Sequence, residues 1–107
     1  NTTEIYAKRM KEVMLIPIQE GTQPQASFGH LMGGYDSGYY GYMWSKVFAE
    51  DMFTRFETEG LLNPITGKDY VNWILKPGGE KEPMELITGF LKREPSNEAF
   101  LKRIGLK

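Results

Sequence analysis

Residues 37–57 read as one long helix whose apolar side chains point in nearly every direction, and that property limits the folds open to this chain. In YYGYMWSKVFAEDMFTRFETEG, Asp36 is placed to cap a helix from about Ser37 to Glu57, and Gly60 stands just past its end. At 100° per residue Val47 and Trp44 lie on one side, Phe48 and Met52 opposite, and Phe53 and Phe56 elsewhere. A helix apolar nearly all round belongs in a large interior. The chain has 107 residues, enough for one modest core with much of its surface exposed. The expectation is an all-α piece of something larger, with partners for this helix outside the chain. An orphaned apolar helix also predicts self-association.

The remaining pattern is helical as well. TTEIYAKRMKEVML places Ile5, Tyr6, Met10, Val13 and Met14 at three- and four-residue spacings, with Thr3 as a reasonable N-cap and Pro17 setting a stop near Leu15. IPIQEGTQPQ reads as an irregular loop. NPITGKDYVNWILKPGG predicts a short helix behind Thr66, with Asp69 three residues on in a capping-box position and Pro77, Gly78 and Gly79 as the stop. EPMELITGFLKRE predicts another, with Pro83 in its first turn and a buried stripe of Met84, Ile87, Phe90 and Leu91. Ser96 caps a last short helix, with Phe100, Leu101 and Ile104 inward and Gly105 as terminator. About five helices and no alternating strand pattern make the chain all-α, residues 1–107 forming one unit.

Charge narrows the partners. Thirteen Lys and Arg against fourteen Asp and Glu leave a net charge of −1, with the signs interspersed. That is no footprint for nucleic acid or an anionic membrane. No apolar run approaches the roughly 18 residues of a spanning helix. There is no cysteine, which suits a reducing compartment, and cytoplasm is the expected location. The opening NTTEIYAKRM has no initiator Met and no signal pattern, and is read as a boundary made by processing or truncation.

Chemistry concentrates in FGHLMGGYDSGYYGYMW, seventeen residues with five glycines, four tyrosines and the single histidine. A helix starting at Ser37 puts Tyr39 and Tyr42 three apart on one face, with Lys46, while His30 and Tyr35 stand upstream in the loop. Gly33 and Gly34 can reach backbone angles that other residues avoid, and offer N–H groups to a ligand. Such donors suit a peptide backbone or a developing oxyanion. Taken alone, a tyrosine stripe is an ordinary core or interface feature, and a lone histidine beside a glycine an ordinary loop hydrogen-bonder. The run lacks both phosphate-binding glycine patterns. One histidine and no cysteine exclude a zinc site or a Cys nucleophile within the chain.

The string FGHLMGGYDSGYYGYMWSKVFAEDMF, continued through FETEGLLNPITGKDY, ILKPGG, EPMELITGFLKREP and AFLKRIGL, closely resembles the C-terminal part of the thimet oligopeptidase and neurolysin family of zinc metallopeptidases. That family includes oligopeptidase A and dipeptidyl carboxypeptidase. The resemblance implies a large, two-lobed, almost wholly helical enzyme that cuts short peptides with a zinc-activated water. It implies zinc ligands from a His-Glu-x-x-His helix and a downstream Glu, none of them in this chain, so that no metal is bound here. By resemblance Tyr42 is the chief donor to the oxyanion, Tyr35 and His30 contact the substrate near the scissile bond, and Tyr39, Gly33 and Gly34 belong to the substrate-binding surface. Family members vary where this chain has Met32, Ser37 and Gly38.

Two readings follow. In the first, residues 1–107 are the C-terminal portion of a metallopeptidase catalytic domain, inactive alone, whose partners are short peptides and the remainder of that domain. In the second, the chain is a stand-alone helical peptide-binding or interaction module without catalysis.

Overall fold

The computed structural model describes residues 1–107 and contains no strand. Its five α-helices are α1 (Thr2–Met14), α2 (Gly41–Glu59), α3 (Pro64–Tyr70), α4 (Pro83–Leu91) and α5 (Glu98–Arg103). The all-α expectation holds. The chain divides into two compact units, Asn1–Tyr40 and Gly41–Lys107. No helix is long and apolar enough to cross a membrane.

In the first unit α1 is capped by Asn1, not Thr3, because Asn1 Oδ1 accepts the Thr3 N–H at 3.0 Å. Thr3 is inside the helix, where its Oγ1 accepts from Gln25 Nε2 at 2.6 Å. The helix stops where expected: Leu15 turns left-handed (φ 60°) ahead of the residue that Pro17 keeps out of the helical region. None of its residues is buried. The following segment carries two short 3₁₀ turns, Pro24–Ser27 and Gly29–Met32, the first opened by its proline.

In the second unit α2 begins at Gly41, four residues later than Ser37, and ends at Glu59 rather than Glu57. Asp36 is therefore not its cap. The chain from Asp36 to Tyr40 stays in turns, with the Gly38 and Tyr39 N–H groups both donated to the Tyr35 carbonyl. Glycines at 38 and 41 make a helix expensive to nucleate there. At the other end Gly60 (φ 107°) donates its N–H to Phe56 O at 2.9 Å. Asn63 then joins two helices through one amide: Nδ2 donates to Glu59 O at 3.0 Å, and Oδ1 accepts from Ile65 N at 2.9 Å. So α3 starts at Pro64, capped by Asn63 and not from behind Thr66. Thr66 is fully buried within it and donates to the Glu59 carboxylate.

Asp69 is no capping residue. Its Oδ2 accepts from Arg55 Nη2 at 2.6 Å. Arg55 also gives Nε to Glu59 at 2.8 Å and Nη1 to Phe90 O at 2.6 Å, and its guanidinium lies 4.9 Å from the centre of the Phe90 ring. One side chain thus ties α2, α3 and α4 together. After α3 the chain widens into a π-turn, Val71–Leu75, where the Lys76 N–H reaches back five residues to Val71 O at 2.8 Å.

The core sits where α4 meets α2. Phe90 is fully buried, flanked by Ile87 and Leu91, with Phe48, Met52, Phe56, Tyr70 and Ile74 packed on them. The Phe56, Tyr70 and Phe90 rings lie 5.6 to 5.9 Å apart, Tyr70 edge-on to both others. Met84 is 46% exposed, against expectation, because it lies in the first turn of α4, while Leu86 is buried beside Ile87, Phe90 and Leu91. Ser96 Oγ accepts the Glu98 N–H at 3.1 Å and so serves the start of α5, but Ile104, one past the helix, is 47% exposed. On α2 the expectation of apolar residues on all sides holds: Val47 is buried, while Met43, Trp44 and Phe53 are exposed.

Candidate functional site

His30, Tyr35 and Tyr39 are brought together by the backbone of their own loop. The His30 carbonyl accepts twice, from Gly33 N at 3.2 Å and from Tyr35 N at 3.1 Å. The Tyr35 carbonyl then accepts twice, from Gly38 N at 3.3 Å and from Tyr39 N at 3.2 Å. Each carbonyl thereby holds the next candidate residue at a fixed step. The rings follow: His30 lies 5.4 Å from Tyr35, edge-on at 89°, and 5.2 Å from Tyr39 at 55°. These are the separations at which aromatic pairs attract.

A fourth ring belongs to this group and carried no role in the sequence. Phe28 lies 4.8 Å from Tyr39, edge-on at 80°, and 5.6 Å from His30. It is half-buried, whereas His30, Tyr35 and Tyr39 are exposed. Its position two residues before the histidine was the available signal.

The two glycines differ. Gly34 has φ 85°, a conformation that a side chain resists, as expected. Gly33 has φ −108°, which any residue adopts, and its N–H is spent on the His30 carbonyl rather than offered to a ligand. What calls for glycine at 33 is space, since a Cβ there would lie 3.3 Å from Gly29 O.

Tyr42 is the second residue of α2, 51% exposed, with Lys46 one turn further on the same face. Tyr39 precedes the helix, so the expectation that it shares a helical face with Tyr42 fails, for the same reason that α2 starts late. The candidate residues therefore comprise, in the first unit, a loop cluster of an imidazole and two phenols and, in the second, a phenol in the first turn of a helix. All can donate hydrogen bonds, and the imidazole and hydroxyls can also accept them.

A profile of Peptidase family M3 matches residues 1–106. The chain belongs to Peptidase family M3. Among curated M3 relatives it is 42% identical over 106 residues to "Thimet-like oligopeptidase" of Dictyostelium discoideum, covering 99% of this chain and 16% of that protein. It is 49% identical over 81 residues to "Oligopeptidase A" of Haemophilus influenzae, 75% of this chain and 12% of that protein. With "Oligopeptidase A" of Escherichia coli it shares 41% identity over 105 residues, 97% of this chain and 15% of that protein. The chain thus spans about a sixth or less of the length of these M3 relatives.

Zinc, which M3 membership implies, does not fit the residues present. No three His, Cys, Asp or Glu side chains come together in a group able to hold a metal ion. The single histidine lies among the rings of Phe28, Tyr35 and Tyr39.

Proposed function

We propose that these residues are the substrate-binding and oxyanion-stabilising part of an M3 metallo-oligopeptidase that hydrolyses short peptides. The reading rests on the M3 match across the chain, joined to a backbone-built cluster that presents His30, Tyr35 and Tyr39 to solvent. The relatives' much greater length supports a larger protein around this chain; on the family resemblance it is a helical, two-lobed catalytic domain, with residues 1–107 as its C-terminal portion. The metal ligands then lie outside this chain, and the isolated chain is inactive.

The roles follow from chemistry. A bound peptide presents carbonyl acceptors and N–H donors, which the His30 imidazole and the Tyr35 and Tyr39 hydroxyls can meet. Tyr42 serves the reacting carbonyl. As water adds, the carbonyl oxygen gains negative charge, and a phenol O–H aimed at it binds that state more tightly than the neutral peptide. The first turn of a nineteen-residue helix is a favourable place for this donor, because the positive end of the helix dipole also attracts the developing anion.

The test is Tyr42→Phe in the full-length enzyme carrying this segment, assayed on a fluorogenic short peptide. We expect kcat to fall on the order of 10² to 10³, the cost of one lost oxyanion donor, with KM little changed. An unchanged kcat removes Tyr42 from the role. Chelator-sensitive cleavage by the 107-residue chain alone would overturn the claim that it is inactive.

A further inference from the structure

We propose that Phe28 is a positioning residue: a wedge that sets the planes of His30 and Tyr39. The inference rests on the reading of those two residues as peptide contacts.

Three observations carry it. First, Phe28 touches both rings at once, 5.6 Å from His30 and 4.8 Å from Tyr39, while those two lie 5.2 Å from each other, so the three close a triangle. Second, the burial is graded. The ring that can make no hydrogen bond is half-buried, and the two that can are exposed. A ligand can reach the imidazole and the phenol, while Phe28 supports them from the less accessible side. Third, the wedge has a fixed base. Phe28 is the joint between the two 3₁₀ turns, donating its N–H to Gln25 O at 3.5 Å and accepting the Leu31 N–H at 3.1 Å.

Exposed imidazole and phenol side chains otherwise sample several rotamers, and a ligand that needs one of them must restrict the rest. An edge-to-face contact from a half-buried ring removes part of that cost before the peptide arrives. Leucine at 28 fills much of the space yet has no ring edge or face to orient its neighbours, whereas tyrosine keeps both.

Two measurements test this. His30 is the only histidine in the chain, so its ring protons give single NMR resonances. In the 107-residue chain those resonances should stand displaced from free imidazole by the surrounding rings, move toward the free value in Phe28→Leu, and return in Phe28→Tyr. If Leu and Tyr at 28 shift them equally, the wedge is wrong. In the full-length enzyme Phe28→Leu should raise KM for short peptides roughly three- to tenfold with kcat unchanged, since it disturbs peptide contacts and not Tyr42, and Phe28→Tyr should restore it. If His30→Ala and Tyr39→Phe raise KM while Phe28→Leu does not, the positioning role fails by itself. If neither of those two variants changes KM, the reading of His30 and Tyr39 fails, and the resonances still decide whether Phe28 orients the rings.

Discussion

Arg93 closes a two-point fork on Asp51, with Nη2 to Oδ1 at 2.6 Å and Nη1 to Oδ2 at 2.9 Å, across 42 residues of sequence. The Ser96 N–H adds a third bond to the same carboxylate at 2.7 Å. Asp51 is 2% exposed, so the fork fixes the chain after α4 to the middle of α2. Arg93→Met should destabilise the second unit by about 2 kcal/mol, below the 3–5 typical of a fully buried pair because Arg93 is itself half exposed. Thermal melting should show a Tm lower by on the order of 10 °C. A Tm within error of the parent would mean that the pair contributes nothing.

Acid should erase that contribution. Burial pushes the Asp51 carboxyl up, but the Arg93 hydrogen bonds, the Ser96 N–H and the Arg93 charge outweigh it and hold its pKa below the ordinary carboxylate value. Above about pH 4 the carboxylate is ionised in both folded and unfolded chains, and its stabilisation is fully present. As pH falls below that, the unfolded chain takes the proton first, and the benefit disappears as the pH passes through the lowered folded value. The Tm difference between parent and Arg93→Met should therefore be constant from pH 5 to 7 and shrink below about pH 4. A difference that grows in acid contradicts this account.

Gly89 admits no side chain. A Cβ there would lie 2.3 Å from Cε3 and Cζ3 of the Trp73 indole. Alanine gains about 1 kcal/mol of helix propensity, but the rigid ring must leave its seat, and overpacking costs about 1–3 kcal/mol. Steric conflict wins. In a Trp44→Phe background, where Trp73 is the only indole, Gly89→Ala should lower Tm and shift the emission to the red as the ring turns into water. Higher stability with unchanged emission would show that the seat is looser than described.

Gly34→Ala should disturb the loop more than Gly33→Ala. The first forces an L side chain to φ 85°, a cost of about 1–2 kcal/mol, whereas the second asks Gly29 O to give by a few tenths of an ångström. Exchange of the Tyr35 N–H, which is bonded to the His30 carbonyl, should speed up roughly five- to thirtyfold in Gly34→Ala and less in Gly33→Ala. The reverse order would remove the conformational argument.

The exposed apolar side of α2 should make the isolated chain associate. Met43 and Trp44 are 58% and 57% exposed. Sedimentation should show mass increasing with concentration, and Trp44→Glu should reduce it. A single monomeric species at all concentrations would contradict the expectation.

The helices were legible because of their periodic apolar residues, and α1, α2 and α5 also because a proline or glycine marks their stop. Their starts were less so. Thr3, Asp36 and Thr66 all had the right chemistry for caps, but Asn1 and Asn63 displaced two of them by hydrogen-bonding the N–H groups of the first turn. Asp36 lost because the Tyr35 carbonyl captured the next turn. Long-range pairing was invisible: nothing in the spacing says that Asp69 answers Arg55 or that Arg93 answers Asp51. At the site, the resemblance pointed to His30, Tyr35, Tyr39 and Tyr42, but the helical wheel joined Tyr39 to Tyr42 by a helix that does not reach back to residue 39. The cluster around His30 is built by turn hydrogen bonds and ring contacts, neither of which has a sequence period.

In that loop the His30 carbonyl reaches three and five residues ahead, and the Tyr35 carbonyl three and four. These spans are counted in residues, so the segment works as a ruler. Exchanging a side chain at Met32 or Ser37 leaves every mark in place. Adding or deleting one residue between His30 and Tyr39 moves all later marks, and the rings fall out of phase although each is still present. What variation at this loop must preserve is its length.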